Sequence, residues 1–136
     1  MQDRPTALEL LDAVRGFLER DVVPALDGPR RFHALVAANV LAIVRRELDG
    51  EEDRLLAEWR RITPLVDEAR PAPAGLAALR SAVREVTAKL AERIRRGDVD
   101  ADPMHAAVRR AVREMVVEKL RVANPRFLDG HLGSPS

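Results

Sequence analysis

Proline and glycine cut this chain into segments, and within each segment the apolar residues recur at steps of three and four. The clearest series is Leu76, Leu79, Val83, Val86 and Leu90. This spacing gives a helix one apolar face, whereas a half-buried strand would alternate every two residues. No segment shows that alternation, and 136 residues suit a single hydrophobic core. Because the loops are short, the sequence predicts an all-α fold, a single-domain antiparallel bundle of about five helices.

The segment boundaries give the helix bounds and the extent of the domain. We predict helices over residues 6–22, 29–48, 73–96 and 102–124, and a third helix that begins near Glu51. The domain is predicted to span residues 1–128 and to be followed by a flexible tail at residues 129–136. Pro64 either kinks the third helix or begins a separate short helix. Thr63 as a cap and Pro64 at the first helical position favour the separate helix.

The second predicted helix is almost free of polar residues between Phe32 and Val44. A helix that is apolar all round is buried on most sides, so we predict that it is the central helix of the bundle. Asn39 lies within that stretch, and a buried amide without a partner costs about 1–3 kcal/mol. We therefore expect Asn39 either to bond a neighbouring helix end or loop carbonyl, which would fix the helix register, or to anchor a ligand in a pocket.

Three more residues of this helix complete the candidate ligand-binding set. His33 lies six residues before Asn39, about 120° around the helix, so the two side chains are expected on different sides. The ordinary role of such a histidine is a core or boundary position. Arg45 and Arg46 end the helix, where positive charge interacts favourably with the helix dipole. The alternative role of these two arginines is to bind the phosphates of a nucleotide or of CoA.

Composition and motif content narrow the classes of function. The chain has no cysteine, which excludes disulfides and thiolate metal sites. With 23 basic and 22 acidic residues it has no long-range attraction for nucleic acid, and its longest apolar run is too short to span a membrane. The sequence contains no catalytic, phosphate-binding or metal-binding signature. We expect a cytoplasmic, non-enzymatic protein without a metal or cofactor.

Three stretches of the chain together resemble one family of bacterial proteins. They are residues 4–14 (RPTALELLDAV), 32–44 (FHALVAANVLAIV) and 119–127 (KLRVANPRF). The family is an uncharacterised domain of unknown function, often encoded beside aminoglycoside-phosphotransferase-like kinases and acyl-CoA dehydrogenases. The resemblance implies an accessory or interaction protein linked to acyl-CoA metabolism, with such a kinase-like phosphotransferase or dehydrogenase as its partner. A second copy of the chain is a further candidate partner, and the alternative function is binding of an acyl-CoA or nucleotide-like small molecule.

Overall fold

The computed structural model describes residues 3–132, with the side chains of residues 3–130. This part of the chain contains six α-helices and no strand, so the predicted all-α class is confirmed. The helices are α1 (Ala7–Phe17), α2 (Gly28–Leu48), α3 (Glu51–Ile62), α4 (Leu76–Arg96), α5 (Met104–Ala123) and α6 (Pro125–Leu132). The predicted boundary at residue 128 falls within α6, and the last part of the predicted tail, residues 133–136, lies outside the described residues.

The described residues fall into two compact units. The first unit contains α1 and α2, up to Gly50, together with Val122–Asn124. The second unit contains α3, α4 and α5 as far as Arg121, together with α6. The two units differ in where they keep their large apolar side chains.

The first unit begins with a capped helix. Thr6 and Glu9 form the capping box that their spacing indicates: the Glu9 N–H donates to Thr6 Oγ1 at 3.2 Å, and the Thr6 N–H donates to Glu9 Oε2 at 2.7 Å. The helix then continues beyond α1 through a π-helical turn, Leu18–Val22, into a 3₁₀ turn, Val23–Ala25. These two turns end the first helical segment before α2 begins.

Helices α1 and α2 form an antiparallel hairpin. Arg45, near the end of α2, bonds Asp12, in the middle of α1, with Nε 3.0 Å and 3.1 Å from the two carboxylate oxygens. Arg31, near the start of α2, donates to the carbonyl oxygen of Val23, after the end of α1, at 3.4 Å, so the two helices run in opposite directions. The buried residues of α2 are alanines spaced by four, Ala34, Ala38 and Ala42.

The prediction that α2 is the buried central helix is wrong. Its buried residues are small alanines, whereas Phe32 is 63% exposed and Val40 is 48% exposed. Asn39 is exposed as well, so the requirement that a buried amide find a partner does not apply to it. The physical reason is that small side chains let two helices approach closely, and the larger side chains are left on the other sides of α2.

The second unit contains a core of large apolar side chains from α3, α4, α5 and the turns that follow α3 and α4. Its most deeply buried large side chains are Trp59, Ile62, Leu79 and Val86. The apolar seam predicted on α4 is confirmed, since it is buried from Leu79 to Leu90. On α5, Val108, Ala111 and Met115 are buried, whereas Val112 and Val116 are exposed.

Helices α3 and α4 run in the same direction. Glu51, at the start of α3, accepts hydrogen bonds from Nε and Nη2 of Arg80, near the start of α4, at 2.6 Å each. Beyond the end of α3, the carbonyl oxygen of Leu65 accepts a hydrogen bond at 2.8 Å from Arg93, near the end of α4. The expectation that successive helices are all antiparallel is therefore wrong for this pair.

The connection between α3 and α4, residues 67–75, allows this parallel arrangement. An extended chain covers about 3.3 Å per residue, so nine residues can return along the whole of α3, which rises only about 1.5 Å per residue. Trp59 Nε1 donates to the carbonyl oxygen of Arg70 at 3.0 Å, which ties the returning segment to α3. The loop is therefore not a short turn but a packed part of the second unit.

Helix α5 runs antiparallel to α3. Arg61 Nε donates to Glu114 Oε2 at 2.7 Å, and Lys119, further along α5, pairs with Glu58, which is earlier in α3. At the start of α5, the side chain of Asp102 accepts a backbone N–H of the first turn at 3.2 Å. This hydrogen bond satisfies one of the backbone N–H groups that have no partner within the helix.

The separate short helix that the sequence favours at Pro64 is present, but it is a 3₁₀ helix and Thr63 does not cap it. Helix α3 ends at Ile62, and a single 3₁₀ turn, Thr63–Val66, follows it directly. The Thr63 hydroxyl donates to the carbonyl oxygen of Trp59 at 2.9 Å. The side chain of Thr63 therefore bonds a carbonyl group in the last turn of α3 and does not cap the helix that follows. The turn stops at Asp67, whose φ of 58° is in the left-handed region.

Candidate functional site

The α1–α2 hairpin carries nine exposed large apolar side chains; three of them are Phe32, Leu35 and Val36, and the other six form one group. We call this group the hairpin face: Leu10, Val14 and Phe17 on α1, and Val40, Val44 and Leu48 on α2. Their exposed fractions lie between 36% and 56%. Single exposed apolar residues are ordinary in soluble proteins, but a contiguous group marks a surface that binds something.

Helix geometry places these six residues in register across the hairpin. Asp12 and Arg45 lie at one level because they are hydrogen-bonded. In an antiparallel pair, each step forward along one helix is matched by an equal step backward along the other. Counted from this pair, the residues of the face come level two by two: Leu10 with Leu48, Val14 with Val44, and Phe17 with Val40.

The six residues also project from one side of the hairpin. Successive residues turn by about 100° around each helix, in opposite senses when two antiparallel helices are viewed from one end. We count the angle of each side chain around its helix from the side that contacts the other helix. By this count the hairpin face projects on one side of the hairpin, and the Asn39 side chain projects on the opposite side. The exposed Ala7 and Ala37 fall on the same side as the face. Glu47, which is exposed, lies seven residues after Val40 and therefore turns to the same side, at the Leu48 end of the face.

Arg45 and Arg46 hold the first unit together. Arg45 donates from Nε to Asp12 and from Nη1 to Asp49 at 3.0 Å. The hydrogen bond with Asp12, followed by the one with Asp49, raises the pKa of Arg45 above its ordinary value. Arg46 donates from Nε to the carbonyl oxygen of Val122 at 2.8 Å. The geometry thus gives both guanidinium groups a structural role.

His33 and Asn39 lie apart on the surface of α2. Both are exposed, and because α2 is unbroken their six-residue spacing turns them to different sides, as predicted. The His33 ring lies 6.0 Å from the ring of Phe32, centroid to centroid, near the edge of the hairpin face. The structure therefore does not gather His33, Asn39, Arg45 and Arg46 into one site.

The second unit has a groove of about 740 Å³ between the end of α4 and the start of α5. Apolar side chains line it, among them Ile94, Val99 and Val108. Its basic lining residues are His105, Arg109, Arg110 and Arg113. None of these three arginines forms an ion pair with another described residue. The volume falls within the range of about 300–1,000 Å³ that is usual for small-molecule sites.

Residues 3–132 contain neither a candidate metal site nor a helix that could span a membrane. No group of three or more histidine, aspartate and glutamate side chains in this range is arranged to hold a metal ion. In the same range, no helix has both the length and the hydropathy needed to cross a membrane.

A signal for the hairpin face is present in the sequence. The first helical segment carries two apolar stripes, one through Leu8, Leu11 and Leu18 and the other through Leu10, Val14 and Phe17. A single neighbouring helix can cover only one of them. On α2, alanines that recur every four residues mark one close helix contact and leave the larger residues for another. Together these patterns indicate a hairpin with a second apolar side.

Comparison with known proteins yields a family but no activity. The profile of a family described as a domain of unknown function (DUF6285) matches residues 24–127. The match therefore covers most of the chain, including all of α2, α3, α4 and α5. No curated protein and no solved structure matches the chain.

Proposed function

This chain belongs to the DUF6285 family, whose function is unknown, and we propose that it is a non-catalytic interaction protein that binds protein through the hairpin face. The observation that carries this proposal is the exposure of six large apolar side chains on one side of the hairpin. Burying apolar surface is the main driving force of protein association. The absence of a catalytic signature in the sequence supports a non-catalytic role.

The packing of the first unit supports the same proposal. The apolar residues that it buries, among those described, are Val23 and the three alanines of α2. Covering the hairpin face would give this unit the buried large side chains that it lacks. Binding and stability would therefore be coupled, because a partner that binds the folded hairpin also stabilises it.

The proposed role within the cell rests on the family resemblance alone. It makes the chain an accessory protein of bacterial acyl-CoA metabolism, with a kinase-like phosphotransferase or an acyl-CoA dehydrogenase as its enzyme partner. The hairpin face supplies a surface for such contacts but does not select between these enzymes.

Photo-crosslinking from the hairpin face tests the proposed function. Val40 is replaced by the photoreactive amino acid p-benzoylphenylalanine, and Ala88, an exposed residue of α4, is replaced in a control. After irradiation of the host cell, we expect protein adducts from position 40 and none from position 88. If position 40 gives no protein adduct, the hairpin face is not a protein-binding surface.

A second candidate function is binding of an amphipathic anion, such as an acyl-CoA, in the groove between α4 and α5. Its apolar lining suits an acyl chain, and Arg109 and Arg113 can pair with phosphate groups. This proposal keeps the predicted small-molecule alternative but moves it from Asn39 in the first unit to the second unit.

Calorimetric titration with octanoyl-CoA, and with free CoA for comparison, tests this second function. We expect the wild type to bind octanoyl-CoA, and the double variant Arg109→Ser, Arg113→Ser to bind it at least about tenfold more weakly, since charge-assisted hydrogen bonds contribute about 1.5–3 kcal/mol each. Arg84→Ser is the matched control, because Arg84 is an exposed arginine of α4 outside the groove lining. Absence of binding by the wild type would rule out the groove as an acyl-CoA site.

A further inference from the structure

We propose that the hairpin face is covered by a second copy of the chain, so that two α1–α2 hairpins form a four-helix bundle around a two-fold axis. This inference rests on the proposed function, since it names the partner of the same surface. In a two-fold interface each copy contributes the same patch, so the surface must be complementary to itself. A surface made mostly of apolar side chains meets that condition.

The missing core of the first unit favours a hairpin as the occupant. Two helices share only one line of contact, and α2 fills its side of that line with alanines. The larger side chains can be buried only by another apolar element of similar length. A second identical hairpin has that length, and two helical hairpins packed together give the usual layout of a four-helix bundle.

The exposed area agrees with the requirement of a stable dimer. Each of the six side chains is roughly half exposed, so the face offers on the order of 500 Å² of apolar surface per copy. A standard interface buries about 800 Å² per partner, of which about 65% is apolar in homodimers. The hairpin face alone therefore accounts for the apolar part of such an interface.

The charge pattern favours a second copy over an unrelated protein. Surfaces that select a different partner usually carry charges complementary to it, which set the orientation and exclude wrong partners. On α1 no charged residue between Ala7 and Phe17 turns to this side, and on α2 between Ala37 and Leu48 only Glu47 does, at one end of the face. In a two-fold pair centred on the level of Val14 and Val44, with the two hairpins antiparallel, the two copies of Glu47 lie at opposite ends of the interface.

Opposite charges introduced at Val14 test the dimer. Val14 lies at the middle level of the face and is 51% exposed. We expect the wild type to sediment at twice the chain mass of 15.1 kDa, and Val14→Asp and Val14→Lys each to sediment at the mass of one chain. Mixing the two variants in equal amounts should restore the larger particle, because unlike charges replace like charges. The control Ala88→Asp adds the same charge on α4 and should stay dimeric.

Further measurements can contradict the proposed dimer. If circular dichroism shows that Val14→Asp does not fold, Val44→Ser replaces it, and its dimer dissociation constant should be at least tenfold higher than that of the wild type. A wild type that sediments as a single chain at every concentration would overturn the inference, and so would a folded Val14→Asp that remains dimeric. Photo-adducts from position 40 that contain only other proteins would overturn the second copy as partner but leave the proposed function standing.

Discussion

Glu51, the first residue of α3, accepts two hydrogen bonds from Arg80, near the start of α4, at 2.6 Å each. This pair joins the starts of two helices that are connected by an extended segment. Together with the hydrogen bond from Arg93 to Leu65 beyond the end of α3, it shows that the two helices are parallel. The hydrogen bonds with Arg80 also hold the pKa of the Glu51 carboxyl below its ordinary value of 4.5. The contribution of this pair to stability therefore depends on pH.

Glu51→Gln should lower the free energy of unfolding by about 1 kcal/mol at neutral pH, since it removes an ion pair and a favourable charge at a helix start. A carboxyl whose pKa is lowered in the folded state stabilises that state above its ordinary pKa, and this contribution is lost as the pH falls through the folded value. The difference between wild type and variant, measured by urea unfolding, should therefore shrink below pH 4.5. Glu52→Gln, an exposed neighbour in the same helix turn, is the control; an equal loss in both variants would mean that the bond to Arg80 contributes nothing.

Trp59→Phe should destabilise the protein by about 1–2 kcal/mol, because it removes the donor to the carbonyl oxygen of Arg70 and some buried volume. Arg70→Ala is the companion variant. It keeps the backbone acceptor and removes only the guanidinium that lies 5.6 Å from the ring centroid, so it should cost about 0.5–1 kcal/mol. Urea unfolding followed by circular dichroism measures both. If the alanine variant costs as much as Trp59→Phe, the indole hydrogen bond does not tie down residues 67–75.

Gly97→Ala should destabilise the protein by about 1–2 kcal/mol, because Gly97 ends α4 with a φ of 77°, where a side chain is strained. A Cβ there would also lie 3.1 Å from a carboxylate oxygen of Asp100. Gly130→Ala makes the same chemical change within α6, where no atom lies within 4 Å of the added carbon, and should be neutral or stabilising. Thermal unfolding compares the two, and equal effects would be inconsistent with a left-handed cap at Gly97.

Leu79→Ala and Leu10→Ala should differ in how they depend on protein concentration. Leu79 is 1% exposed in the core of the second unit, so its truncation should cost about 2–5 kcal/mol at every concentration. Leu10 is 52% exposed in the single chain, and its truncation should lower the melting temperature only where the dimer forms. Melting curves over a range of concentrations test this, and a concentration-independent loss in Leu10→Ala would argue against its burial by a partner.

Local features of the fold could be predicted from the sequence, because they depend on nearby residues. The capping box at Thr6 and the seam from Leu79 to Leu90 are both encoded within a few helical turns, and both are present. The direction of α4 could not be predicted, because it depends on residues 67–75 taking an extended path instead of forming a turn. The spacing of apolar residues also does not show which side of an all-apolar helix contacts the neighbouring helix.

The prediction of a candidate site at Asn39 depends on the burial of α2. Asn39 drew attention only because α2 was expected to be buried, and its exposure removes that argument. The alanines of α2 were the informative residues, since their four-residue spacing marks the inner side and leaves the larger side chains exposed. The hairpin face could have been predicted by assigning the smallest side chains to the closest helix contact.

Hydroxyl-radical footprinting of phenylalanine tests the central claim most directly. Phe17, in the hairpin face, is 56% exposed in the single chain, and Phe127, in α6, is 45% exposed. If a second copy covers the face, Phe17 should be protected at high protein concentration and become reactive on dilution, while Phe127 reacts throughout. Equal reactivity of Phe17 and Phe127 at every concentration would contradict the account.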